Sequence, residues 1–80
     1  MAADLAEKMD RYERMLADAL EAAERRPPAD TALGGAAADC REMAESYLRD
    51  GRHFRAADDP VNALAAFSYG YGWLDCGVRM

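Results

Sequence analysis

Apolar residues recur at helical spacing from the start of the chain. Leu5, Met9, Tyr12, Leu16, Ala19 and Ala23 step by four, three, four, three and four, and Leu20 widens the stripe. That period predicts an amphipathic first helix over about residues 3–26. Its other face carries Asp4–Lys8, Glu7–Arg11, Asp10–Arg14 and Glu21–Arg25, each acid four residues before its base. That order supports a helix by about 0.2–0.5 kcal/mol per pair. Arg25 and Arg26 suit the negative end of the helix dipole, and Pro27 and Pro28 close the helix because proline disfavours α geometry before it.

The segment 27–34, RPPADTALGG with its flanks, reads as a Pro/Gly linker. Asp30 or Thr31 is positioned to cap an early start of the next helix. Regular helix is expected from about 35. Ala37, Cys40, Ala44, Tyr47, Gly51 and Phe54 then step by three, four, three, four and three. Gly51 could end the helix as a C-terminal cap, but the phase runs through it, so the second helix is expected to reach about 57. Asp59 is a good N-cap and Pro60 a good first residue, which predicts a third helix over 60–78. So short a connection makes helices two and three a tight antiparallel hairpin. The expected fold is all-α, an antiparallel three-helix bundle forming a single domain over 1–80.

The third helix is unusual. It holds Gly70, Gly72 and Gly77 together with Phe67, Tyr69, Tyr71 and Trp73, although glycine costs roughly 1 kcal/mol against alanine in a helix. Leu64, Phe67, Tyr71, Leu74 and Val78 form one apolar stripe. Ala63, Ala66, Gly70 and Gly77 form a second. A helix apolar nearly all round is expected to be surrounded by partners. With the turn near residue 58, facing positions in the hairpin sum to roughly 116–117. This register sets Gly51 against Ala65 or Ala66, Tyr47 against Gly70, Ala44 near Gly72 and Trp73, and Cys40 near Gly77. The glycines then let two main chains approach closely, large residues facing small ones. Cys40 and Cys76 come to one level but diverge in direction, so no disulfide is expected.

The C-terminal residues also resemble a family. Tyr47, Asp50, Phe54, Asp59, Asn62-Ala63-Leu64-Ala65, Ser68-Tyr69 and Gly72-Trp73-Leu74-Asp75 are similar to the pattern of the small archaeal proteins of domain-of-unknown-function family 357. The likeness covers about residues 47–80; the first helix agrees in general character only. The family more often has Gly-Asp before an aromatic where this chain has Asp58-Asp59-Pro60. The resemblance implies an archaeal, cytosolic, three-helix bundle of spectrin-like arrangement, and no activity.

Charge and chemistry narrow the function classes. The net charge is −5, which disfavours nucleic acid, whose binding rests on cationic side chains. No apolar run approaches the ~18 residues of a membrane span, and the charged N-terminus is no signal peptide. One histidine and two widely separated cysteines suggest reduced thiols in the cytoplasm and no metal or other cofactor. His53, in Arg49-Asp50-Gly51-Arg52-His53, sits closer to its arginine than in helical ribonucleases of the HEPN type, and a solvated histidine is the expected reading. Asp50 and Asp75 lie at edges of apolar faces. The register separates them, so each is expected to bond a tyrosine or arginine of another helix rather than share a catalytic site. Asp58–Asp59 reads as a helix cap.

Tyr69 and Trp73, four apart and joined by Met80, are either core against helix one or, where that helix leaves them uncovered, an aromatic interface. The expected function is a non-enzymatic helical protein–protein interaction module, one able to form a homo-oligomer. The alternative is a small regulatory or nucleotide-associated subunit of a helical enzyme system, using Arg49, Arg52 and Arg55. No nucleophile–base pair, phosphate loop or ligand triad points to an enzyme.

Overall fold

The computed structural model describes residues 2–24 and 32–79, with side chains described over 4–24 and 35–77. Three helices follow one another: α1 (Ala2–Glu24), α2 (Ala32–Ala56) and α3 (Pro60–Arg79). They lie side by side as a rod of 45 × 16 × 16 Å. Among the described residues, no helix is long and apolar enough to cross a membrane.

Helix α2 begins about three residues earlier than its pattern suggests. Gly34 and Gly35 lie inside its opening turns rather than in a linker. The propensity cost of a glycine is modest, and Ala36–Ala38 beyond them are strong helix formers. The prolines and the candidate caps Asp30 and Thr31 fall outside the described residues.

The α2–α3 turn is specified locally. Asp59 N donates to the Phe54 carbonyl at 2.9 Å and Asp58 N to the Arg55 carbonyl at 3.1 Å. This crossed pair is a Schellman closure, whose penultimate position takes a left-handed backbone. Asp58 occupies it, with φ of 59°. One Asp59 carboxylate oxygen accepts from Asn62 N at 3.3 Å; the other accepts from Asn62 Nδ2 at 2.7 Å. Asp59 is therefore the N-cap of α3, and Pro60 its first residue, as the sequence predicts.

Helices α2 and α3 pack most closely, and the expected register holds at two levels. A Cβ built on Gly70 would stand 3.0 Å from Tyr47 Cβ, and one on Gly77 would stand 2.9 Å from Cys40 Cβ. Gly51 is buried within a continuous helix, but the ring of Phe67 lies across it, not Ala65 or Ala66. Gly70 is also met by Leu16 of α1, 2.7 Å from the same hypothetical Cβ, so all three helices converge there. Gly72 does not face Ala44: nothing lies within 4 Å of its Cβ position. Two residues on from Gly70 is about 200° round the helix.

The core is small. Leu16, Leu20, Ala44, Ala63, Phe67 and Leu74 form the buried cluster, with Met9, Tyr12, Leu48 and Phe54 packed against it. Phe67 and Leu16 are the largest fully buried side chains; complete burial of such a side chain stabilises by about 1.5–3 kcal/mol. In α3 the buried line runs Ala63, Phe67, Gly70, Leu74, between the two stripes expected from sequence. Tyr71 is exposed, and α3 is not enclosed by its partners.

Two tests follow from these contacts. Gly70→Ala is expected to destabilise by about 1–3 kcal/mol through overpacking, whereas Gly72→Ala is expected to stabilise by up to about 1 kcal/mol; chemical denaturation of both reads the contrast. Asp58→Gly is expected to stabilise by up to about 1 kcal/mol by relieving left-handed strain, and Asp59→Ala to destabilise by about 1 kcal/mol through loss of the cap, both seen as opposite shifts in thermal midpoint.

Candidate functional site

Helical phase places Tyr69, Trp73 and Cys76 on one flank of α3. Met43 and Tyr47 share a flank of α2, one turn apart. The register brings the two flanks together on one side of the hairpin seam. Tyr47 and Tyr69 touch across it, their ring centroids 6.0 Å apart and tilted by 51°. Tyr69 is 64% exposed and Trp73 41%, and Met43 is also among the exposed large apolar residues. Neither ring is part of the buried core. Met80 lies outside the described residues.

The other side of the hairpin is occupied by α1. Glu13 accepts from Arg52 Nε at 3.0 Å and from Arg55 at 2.6 Å, and Asp10 pairs with Arg55 as well. Residues early in α1 thus meet residues late in α2, which makes these helices antiparallel. Asp10 and Glu13 turn to α2, so the expected Asp10–Arg14 pairing along α1 gives way to an inter-helix one. Arg11 lies over the Tyr12 ring instead, 5.7 Å from its centroid. The Glu13 hydrogen bond, opposed by partial burial and aided by Asp10, holds the Arg55 guanidinium above its ordinary pKa.

These pairings remove most of the basic cluster expected on α2. Arg52 and Arg55 are neutralised, and Arg49 donates to Ser46 Oγ at 3.3 Å. The groove between α1 and α2 is lined by Glu21, Glu24 and Glu45 and by Arg49 and Arg52, the last already paired with Glu13. It offers an anion more repulsion than attraction.

The carboxylates form no joint site. Asp50 is exposed, without the expected inter-helix bond among the described residues. Asp75 is exposed but engaged. In the observed register, Asp75 faces the level of residue 42, about 12 Å along α2 from Asp50 at 1.5 Å per residue. His53 is exposed in the last turn of α2, its ring 6.2 Å from that of Phe54. Among the described residues, no three of His, Cys, Asp and Glu are grouped to hold a metal ion.

No disulfide joins the cysteines, but Cys76 lies nearer to Cys40 than the sequence phase suggests. Both are free, Cys40 buried and Cys76 exposed. Cys40 packs its Cβ against Gly77, which has no side chain to separate it from the adjoining Cys76. Cys76 is near enough to act on the Cys40 thiol. Burial first, then Cys76, pushes the Cys40 thiol above its ordinary pKa of 9.0.

Because the folded state keeps the Cys40 proton at a pH where the unfolded chain has lost it, stability falls as pH rises. The contribution is intact below the ordinary thiol pKa and is lost as pH rises from there through the raised folded value. Cys40→Ala is expected to flatten the decline in stability above about pH 9, measured by urea unfolding across that range.

Comparison with curated proteins and with solved structures finds no match. A family model does match, over residues 11–80, and its description is a protein of unknown function. The match takes in most of α1, all of α2 and all of α3, well beyond the C-terminal segment that carried the resemblance in sequence. The chain belongs to the DUF357 family.

Proposed function

We propose that this protein is a non-enzymatic helical interaction module that docks through the Tyr69–Trp73 face, with a second copy of the chain as its first partner. The carrying observation is the exposure of Tyr69 and Trp73 beside Tyr47 and Met43 on the seam. Clustered exposed aromatics mark interaction surfaces, and tryptophan and tyrosine are typical anchors because they bury much area at little entropic cost. The small core supports the same reading: covering this face would add apolar burial that three helices alone do not supply. An archaeal, cytoplasmic setting is part of this proposal.

The alternative, a regulatory or nucleotide-associated subunit, draws less support. It relies on Arg49, Arg52 and Arg55, and two of these are paired to α1.

Light scattering on size-exclusion fractions, over a range of loading concentrations, tests the proposal. Mass is expected to rise toward a dimer, with Trp73 emission shifting to shorter wavelength. Tyr69→Ala/Trp73→Ala is expected to remain monomeric with its helical content unchanged. Wild-type protein that stays monomeric at every concentration, its Trp73 emission constant, removes self-association.

A further inference from the structure

We propose that Cys40 and Cys76 form a reversible oxidation site, closing to an α2–α3 disulfide when the protein meets a hydroperoxide. The close approach of α2 and α3 at Gly77 places them together. Cys40 Cβ rests on the bare backbone of Gly77, which would hold a Cβ at only 2.9 Å, and the residue before that glycine is Cys76, near enough to help raise the pKa of the Cys40 thiol. A cystine needs close main chains and adjoining Cβ atoms. The glycine at 77 supplies the first at this level of the hairpin.

The two thiols have unequal access, which orders the chemistry. Cys76 is exposed and Cys40 is buried. Oxidation follows thiolate character and exposure, and a sensor cysteine is commonly set beside a resolving one. Cys76 thiolate, its proton lost to solvent, attacks the terminal oxygen of the hydroperoxide. The O–O bond breaks, giving Cys76 sulfenic acid and releasing hydroxide from hydrogen peroxide. The Cys40 sulfur then attacks the sulfenyl sulfur. The S–O bond breaks, the Cys40 proton leaves with the oxygen as water, and the S–S bond forms. Overall, two thiols and one hydrogen peroxide give one disulfide and two waters; the two electrons lost by sulfur reduce the peroxide. A dithiol reverses the change by exchange. The burial that holds Cys40 protonated also keeps it from reacting first, so the exposed partner receives the oxidant.

The site lies along the same flank as Trp73 but stands on different contacts, and its test does not depend on association. The full chain is treated with hydrogen peroxide near neutral pH, quenched with a thiol alkylator, and read by intact mass and peptide mapping. The expected product is a monomer lighter by two hydrogens, resistant to alkylation, with Cys40 and Cys76 peptides linked, and restored by dithiothreitol. Cys40→Ser is expected to lose the bridge and to carry Cys76 onward to sulfinic acid at peroxide levels the wild type withstands. Cys76→Ser is expected to leave Cys40 reduced. A Cys76–Cys76 linked dimer as the main product overturns the proposal. So does over-oxidation of Cys76 in wild-type protein while Cys40 remains alkylatable after unfolding.

Discussion

Helices α2 and α3 approach each other through glycine and alanine, and that close approach governs the rest of the molecule. Gly70 and Gly77 admit Tyr47 and Cys40 of α2 to within contact of the α3 backbone. Gly51 admits the Phe67 ring from the other direction. Each glycine gives up helix propensity, and the loss is offset by dispersion contacts along two main chains, individually weak and collectively large. Gly70 matters most because Leu16 of α1 meets it too. A side chain there would push apart three helices rather than two.

The same approach explains why so many rings remain outside. A seam built from small residues leaves no room for tyrosine or tryptophan between the main chains, so these occupy its flanks. On α3 Phe67 turns fully inward, over the bare backbone of Gly51. Helix α1 covers one side of the hairpin and is tied there partly by Glu13 and Asp10 to Arg52 and Arg55. Exposed ion pairs of this kind contribute little stability, about 0–1 kcal/mol each. Their larger consequence is chemical: they neutralise the cations that an anionic ligand would need. The opposite side leaves Tyr69 and Trp73 exposed beside Tyr47. Near its end, where Gly77 brings the helices together, two thiols of different exposure stand side by side.

Much of this was legible in the order of residues. Asp59 and Pro60 announce the start of α3 because capping depends on neighbours along the chain. The step of Cys40, Ala44, Tyr47 and Gly51 gives the buried face of α2, and a short turn then sets the levels of Tyr47 against Gly70 and Cys40 against Gly77. The resemblance over 47–80 pointed to the family, and the match extends to residue 11. Other features were closed to such reasoning. Nothing local says that Phe67 rather than Ala66 fills the space over Gly51, that Asp10 prefers Arg55 to Arg14, or that Cys76 lies nearer to Cys40 than its phase suggests. Tyr71 shares a stripe with Phe67 and Leu74 yet is exposed.

The residues by themselves determined the helices, the turn and the levels at which they face, because periodicity, capping and loop length act through the chain's own covalent neighbours. Tertiary structure alone decided how each helix is rotated about its axis and which flank α1 leaves bare. Those depend on how side chains of three helices share one narrow volume, a condition that no single helix contains. That is why the aromatic face and the thiol pair emerge only once the helices are packed.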